Sequence, residues 1–195
     1  MKIRVLAVAA VAVLLCLACS RDRLGPPPSG VHLRAGGAIS FYLDKAASDA
    51  LELAIRESFQ LWSDASIFKF SYTGKAPGRA ARDGRNQVIL MTRWPKELSI
   101  GKAAWTQVYL DASGKIAEAD ILLNAQAFSF TTRREAKVGS LYVEEVLSME
   151  IGRSLGIGLG DDAKDQFHVA QAGEVFEPDI DPAQMAAYLS LYATN

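Results

Sequence analysis

Apolar residues recur along this chain with two different periods. "AISFYLD" (38–44) is expected to be a strand. Ser48 then offers a cap for a helix running to about Ser63, in which Leu51, Ile55, Phe59 and Trp62 recur at helical spacing and face a core. In "IFKFSY" (67–72) Phe68, Phe70 and Tyr72 alternate, as in a half-buried strand. Residues 74–86 are polar and predict a loop, and "QVILM" (87–91) predicts a short central strand. "AAWTQVYLD" and "IAEADILLN" flank "ASG" (112–114), which predicts a hairpin. A second helix is expected from around Ser140 to the "GIGLG" that starts at Gly156. The last helix has Asp181 as its cap, Pro182 at its first position, and Met185, Leu189 and Tyr192 along one side. The order β-α-β-β-β-β-α-α predicts an α+β class, a sheet with helices packed on it.

The amino end changes the picture. Lys2 and Arg4 precede an uncharged apolar run from Val5 to Leu17, shorter than the ~20 residues of a spanning helix. It closes on Leu17-Ala18-Cys19, which reads as a secretory signal. The ending resembles the lipobox of bacterial lipoproteins, with Cys16 departing from that pattern. The resemblance implies a signal peptide over 1–18, lipid (palmitate among the acyl chains) on Cys19 and a membrane anchor in the bacterial cell envelope. An ordinary signal peptide cut nearby is the other reading. Ser20 resembles an outer-membrane sorting signal. Residues 19–36, rich in Pro and Gly, read as a tether, and 37–195 as one domain. Cys16 and Cys19 are the only cysteines, so no disulfide is expected in the domain. Without Lys2 and Arg4 the chain has 19 basic and 22 acidic residues with no basic cluster, which gives nucleic-acid binding no support.

The candidate chemistry lies in "SMEIGRSLGIGLGDD" (148–162). Zinc proteases use H-E-x-x-H because residues i and i+4 share one helix face, so two imidazoles can grip one ion. The longer form H-E-x-x-H-x-x-G-x-x-H adds a turn glycine and a third histidine. Laid over this pattern, Glu150 falls on the general base and Gly156 on the turn. "EIGRSLGIG" is similar to the "EIGHSLGLG" run of matrixins. The opening strand and helix, "SIGKAAW" (99–105), "ADILLN" (119–124) and "DIDPAQMAAYLSLY" (179–192) resemble matrixin segments in the same order. "FHVAQAGEVFEPD" (167–179) occupies the place of the Met-turn without matching it.

The chain therefore resembles the catalytic domain of a zinc-dependent, matrixin-like metzincin. That resemblance implies a metzincin or zincin-like twisted mixed sheet, two long helices packed on it and a C-terminal helix. It also implies that "SIGKAAW" forms a cleft edge, making Ala103, Ala104, Trp105, Thr106 and Gln107 a candidate edge for an extended peptide. Trp94, Trp105, Tyr109 and Phe128 serve equally well as core.

The ligands, however, are replaced. Met149, Arg153 and Leu159 stand at the three zinc-ligand positions, and the chain has two histidines, His32 and His168, neither on the motif helix. A thioether is a poor zinc ligand, and a guanidinium is a permanent cation. No catalytic residue, metal or cofactor is expected. Arg153, three residues after Glu150, either pairs with it or points to solvent. Asp161, Asp162, Asp165 and His168 either hold a hard cation such as calcium or form a solvated turn. Two functions follow. One is a lipid-anchored pseudoprotease that binds or scaffolds. The other is an active metalloendopeptidase, or another hydrolase, with an atypical site. Ser148 and Ser154 have no histidine partner to support the latter.

Overall fold

The structure is a computed structural model that describes residues 33–34, 36–158 and 166–192. Cys19, expected to carry lipid, His32, Leu159 at the third expected ligand position and the acidic trio Asp161, Asp162 and Asp165 lie outside the described residues.

A mixed sheet of five strands forms the frame: β1 (Ala38–Asp44), β2 (Lys69–Ala76), β3 (Asn86–Leu90), β4 (Ala104–Leu110) and β5 (Ile116–Leu123), in the order β2-β1-β3-β5-β4. All neighbours are parallel except β4 and β5. β3 is the middle strand, and its Gln87, Val88 and Ile89 are all buried. The hairpin between β4 and β5 turns where Asp111 Oδ1 accepts from the backbone N–H of Ser113 (2.8 Å) and Lys115 (3.0 Å), with Gly114 at φ +80°.

Three helices accompany the sheet. α1 (Asp49–Ala65) starts where the Ser48 hydroxyl accepts from Leu51 N at 3.3 Å. Its buried face holds Ile55, Phe59 and Trp62, as the spacing predicts, but also Ser58 and Ser63. These serines satisfy themselves by donating to Ala54 O and Phe59 O. α2 (Val143–Ser154) and α3 (Pro182–Tyr192) complete the set. The core lies between the sheet and the first two helices, built from Ile39, Phe41, Leu43, Phe59, Trp62, Ile121, Val146, Leu147 and Ile151. Each such side chain contributes ~1.5–3 kcal/mol on burial. No helix among the described residues is long and apolar enough to cross a membrane.

Three expectations need correction. β2 begins at Lys69 and runs on to Ala76, into the predicted loop, and Phe68 is fully buried just before it. α2 begins at Val143, because Leu141–Tyr142 (β7) pair in parallel with Phe130–Thr131 (β6) in a small second sheet. Two-residue strands carry no periodicity, so neither could be read. Its other end is as expected: α2 stops at Ser154, just ahead of the glycine run. In α3, Leu189 is exposed and Tyr188 is the buried residue, its hydroxyl accepting from Ile67 N at 2.8 Å. That helix is apolar nearly all round, so its pattern does not mark a face.

Leu33 and Arg34, within the stretch read as tether, belong to the packed body. Leu33 O accepts from Ile116 N at 3.0 Å. Arg34 is buried, and its guanidinium donates to Ser154 O (3.2 Å) and Asn86 Oδ1 (2.5 Å). Its backbone N–H donates to the Tyr192 hydroxyl at 2.8 Å, and that hydroxyl donates to Leu155 O at 2.5 Å. Burial lowers the Arg34 pKa to about 10, with Tyr192 and Glu118 opposing the shift, so the side chain stays charged at neutral pH.

Candidate functional site

The motif residues sit on the second half of α2, and the helix end explains the glycine. Ile157 N bonds to Gly152 O (3.0 Å) and Gly156 N to Arg153 O (2.9 Å), the paired bonds of a Schellman cap. Gly156 lies at φ +97°, a conformation that glycine adopts without steric cost. Ile157 then turns back into the core at 3% exposure.

The same helix is fixed on three sides. Trp62 Nε1 of α1 donates to Ser148 O at 2.9 Å. Gln184 Nε2 of α3 donates to Met149 O at 3.1 Å, and Ser148 Oγ donates to Asp179 O at 2.8 Å. Gly152 permits this closeness: a Cβ there would lie 3.1 Å from Gln184 Nε2 and 3.2 Å from Trp62 Cζ2.

Glu150 is the fully buried centre. Its Oε2 accepts from Thr106 Oγ1 of β4 at 2.5 Å, and its Oε1 pairs with Arg153 Nη1. The Thr106 hydroxyl also lies 3.1 Å from Glu150 O. The Arg153 side chain is 15% exposed. Of the two orientations open to Arg153 in the sequence, the ion pair is the one formed. It compensates a carboxylate that has no contact with solvent.

These residues do not fit zinc. Each oxygen of Glu150 is engaged by a protein donor, one of them the cation of Arg153, at an expected ligand position. Half-buried Met149, one turn before Arg153, offers only a thioether. His168 stands elsewhere, held by Glu145: its backbone N–H donates to Oε2 (2.8 Å), and Nδ1 meets Oε1 (2.9 Å). Among the described residues no group of three or more His, Cys, Asp or Glu side chains is placed to hold a metal ion.

The candidate edge is the end of the sheet. Ala103, Ala104, Thr106 and Gln107 are buried, and Trp105 is half-buried. Asn124 N donates to Ala103 O at 2.8 Å, which turns Ala103, Trp105 and Gln107 toward β5. The alternation leaves the N–H and C=O groups of Ala104, Thr106 and Val108 directed away from the sheet, and Val108 O takes Gln107 Nε2 at 3.2 Å. Trp105 has Lys102 Nζ 5.1 Å from its ring centroid, and its buried Nε1 has no acceptor among the described residues. Of the aromatic residues that served equally as core or surface, Trp94 is buried and Phe128 is partly buried against the core.

Thr106 was marked in the sequence only as part of this edge, and its bond to Glu150 was not anticipated. No signal in the motif announces it, because the partners are separated by 44 positions. Arg34 was missed as well, although an arginine at the close of a Pro/Gly-rich stretch beside Leu33 was available as a cue.

No family model matches the chain, and no curated protein matches it.

Proposed function

We propose that this chain is a lipid-anchored protein of the bacterial cell envelope whose matrixin-like domain binds or scaffolds and does not cleave. The observation that carries the reading is the Glu150–Arg153 ion pair, with Thr106 on the second carboxylate oxygen. Both oxygens of that carboxylate accept from protein donors, one of them a permanent cation, and the side chain is buried away from solvent. A water without zinc keeps a pKa near ~15.7, against ~7 when bound to the metal.

The metzincin-like part of the reading draws support from three features together. The Glu-bearing helix closes in a glycine cap at the position the motif requires. That helix runs beneath the antiparallel hairpin of the sheet. The segment similar to the cleft edge forms the outermost strand, the end of the sheet to which an extended peptide would add. Partners are therefore the membrane, through lipid on Cys19, and a peptide or envelope protein in extended form.

The test uses the full-length chain, purified in detergent without added metal. Bound zinc well below one equivalent and no chelator-sensitive peptide hydrolysis are expected. Stoichiometric zinc with chelator-sensitive cleavage overturns the proposal.

A further inference from the structure

The face of the sheet opposite the motif helix carries a polar row. Tyr42, Gln87, Asp120 and Gln107 are register partners across four adjacent strands, so their side chains share one face. Asp120 is fully buried, Gln87 is 3% exposed, and Glu118, one alternation along β5, is 4% exposed.

Residues 77–85 cross this face as a strap. Gly78 lies so close to the sheet that a Cβ would meet Asp44 Oδ2 at 2.4 Å and Ile89 Cγ2 at 2.8 Å. Ala81 N donates to Asp120 Oδ2 at 3.2 Å, and Gln87 N to Oδ1 at 3.2 Å. Asp83 N and Gly84 N donate to the two oxygens of Glu118 at 3.1 and 2.6 Å. Within the strap only Ala81 is buried and Ala80 half-buried; the other residues are exposed. Two buried carboxyl groups hold the strap from beneath, Arg82 Nη2 donates to Leu110 O at 2.7 Å and the Arg85 guanidinium lies 5.3 Å from the Tyr42 ring centroid, with little apolar contact to assist them. Segments held in this way open at lower free energy than the core does.

We propose that the 77–85 strap is an acid-closed latch, which lies on the sheet while the Asp120 carboxyl is neutral and lifts as that group ionises, uncovering the polar row of Gln87 and Asp120. Burial and the carboxylates around Asp120 favour its neutral form in the closed state, against the Ala81 and Gln87 N–H groups that donate to it. Glu118 stands beside it on β5, and Asp83 lies on the strap above. Asp44 of β1 lies under Gly78. The cations nearby are the strap's own Arg79, Arg82 and Arg85, together with Arg34, which faces Glu118. β3 and β4 bring only Gln87 and Gln107 to the row, and Tyr109 stands in register with Glu118. Gln87 Oε1 is buried with no donor among the described residues, an acceptor in register beside a carboxylic acid that has a hydrogen to give.

Burial, then Glu118 and Asp83, push the Asp120 pKa to about 8, against the pull of the Ala81 and Gln87 N–H groups. Lifting the strap returns this carboxyl to water and to the ordinary range near ~4. Each unit of pH between these limits then favours the lifted state by up to about tenfold.

The test is amide hydrogen exchange on the full-length chain in detergent from pH 5 to 8, expressed as protection relative to intrinsic rates. Protection at Ala81, Asp83 and Gly84 is expected to fall by about tenfold or more over this range while Ile55 in α1 stays constant. Asp120→Asn is expected to flatten the profile. Glu118→Gln, which removes the neighbouring charge, moves the upper end of the fall to lower pH. A flat wild-type profile, an equal fall at Ile55, or an unchanged slope in Asp120→Asn each overturns the latch.

Discussion

Thr106 Oγ1 of the edge strand meets Glu150 Oε2 of the motif helix at 2.5 Å, joining the sheet's last strand to the buried carboxylate by one hydroxyl. Thr106→Val keeps the shape and removes the donor. The loss expected is ~2 kcal/mol, in the range for hydrogen bonds to charged groups. Urea unfolding of the two proteins measures it. An unchanged midpoint would mean that the hydroxyl is not engaged in solution.

Arg153→Met leaves Glu150 buried with its cation gone. Removing one member of such a pair costs ~3–5 kcal/mol, and the partial exposure of Arg153 places the expectation near ~3 kcal/mol. The double change Arg153→Met with Glu150→Gln should recover part of that loss, because no uncompensated charge remains. A double-mutant cycle with no coupling would contradict the pairing.

Gly156→Ala forces a side chain into φ +97°. A loss of ~1–2 kcal/mol is expected, the cost of a left-handed conformation for a residue with a Cβ. Gly152→Ala acts differently, through crowding of Trp62 and Gln184, and should alter near-UV dichroism of Trp62 as well as lowering the melting temperature.

His168 is raised above its ordinary pKa by its hydrogen bond to Glu145 and by that carboxylate's charge. The folded state therefore holds the proton more tightly than the unfolded chain does. Its contribution to stability is fully present below the unfolded value near ~6.5 and disappears as pH rises through the folded value. NMR titration of the ring should give a pKa above the ordinary value, and Glu145→Gln should return it there.

The legible parts of the fold were those with a long period or a turn code. β1, α1, β3 and the β4–β5 hairpin follow from the run 38–44, from helical spacing after Ser48, from the short apolar run 87–91 and from the "ASG" turn at 112–114. The two-residue strands β6 and β7 are products of tertiary packing and leave no local trace. α3 was placed correctly by Asp181 and Pro182, yet its buried face was misjudged, since apolar residues on all sides hide the contact that Tyr188 makes with Trp62. At the site, the spacing of Glu150 and Arg153 offered the ion pair as one of two orientations. The third partner, Thr106, depends on how a hairpin lies over a helix, which no spacing within the motif encodes. The strap on the far face lies within the predicted polar loop; its attachment rests on Glu118 and Asp120, which the sequence places only within the hairpin strand "IAEADILLN".

Arg34 also sets the mechanics of the molecule. Chain that continues from Leu33 toward the amino end enters the body at Ile116 and at the last turn of α2, where the guanidinium is bonded to Ser154 O and Asn86. A pull on that segment is therefore carried first by β5 and α2. It reaches β1, the next strand in sequence, only after those bonds have yielded.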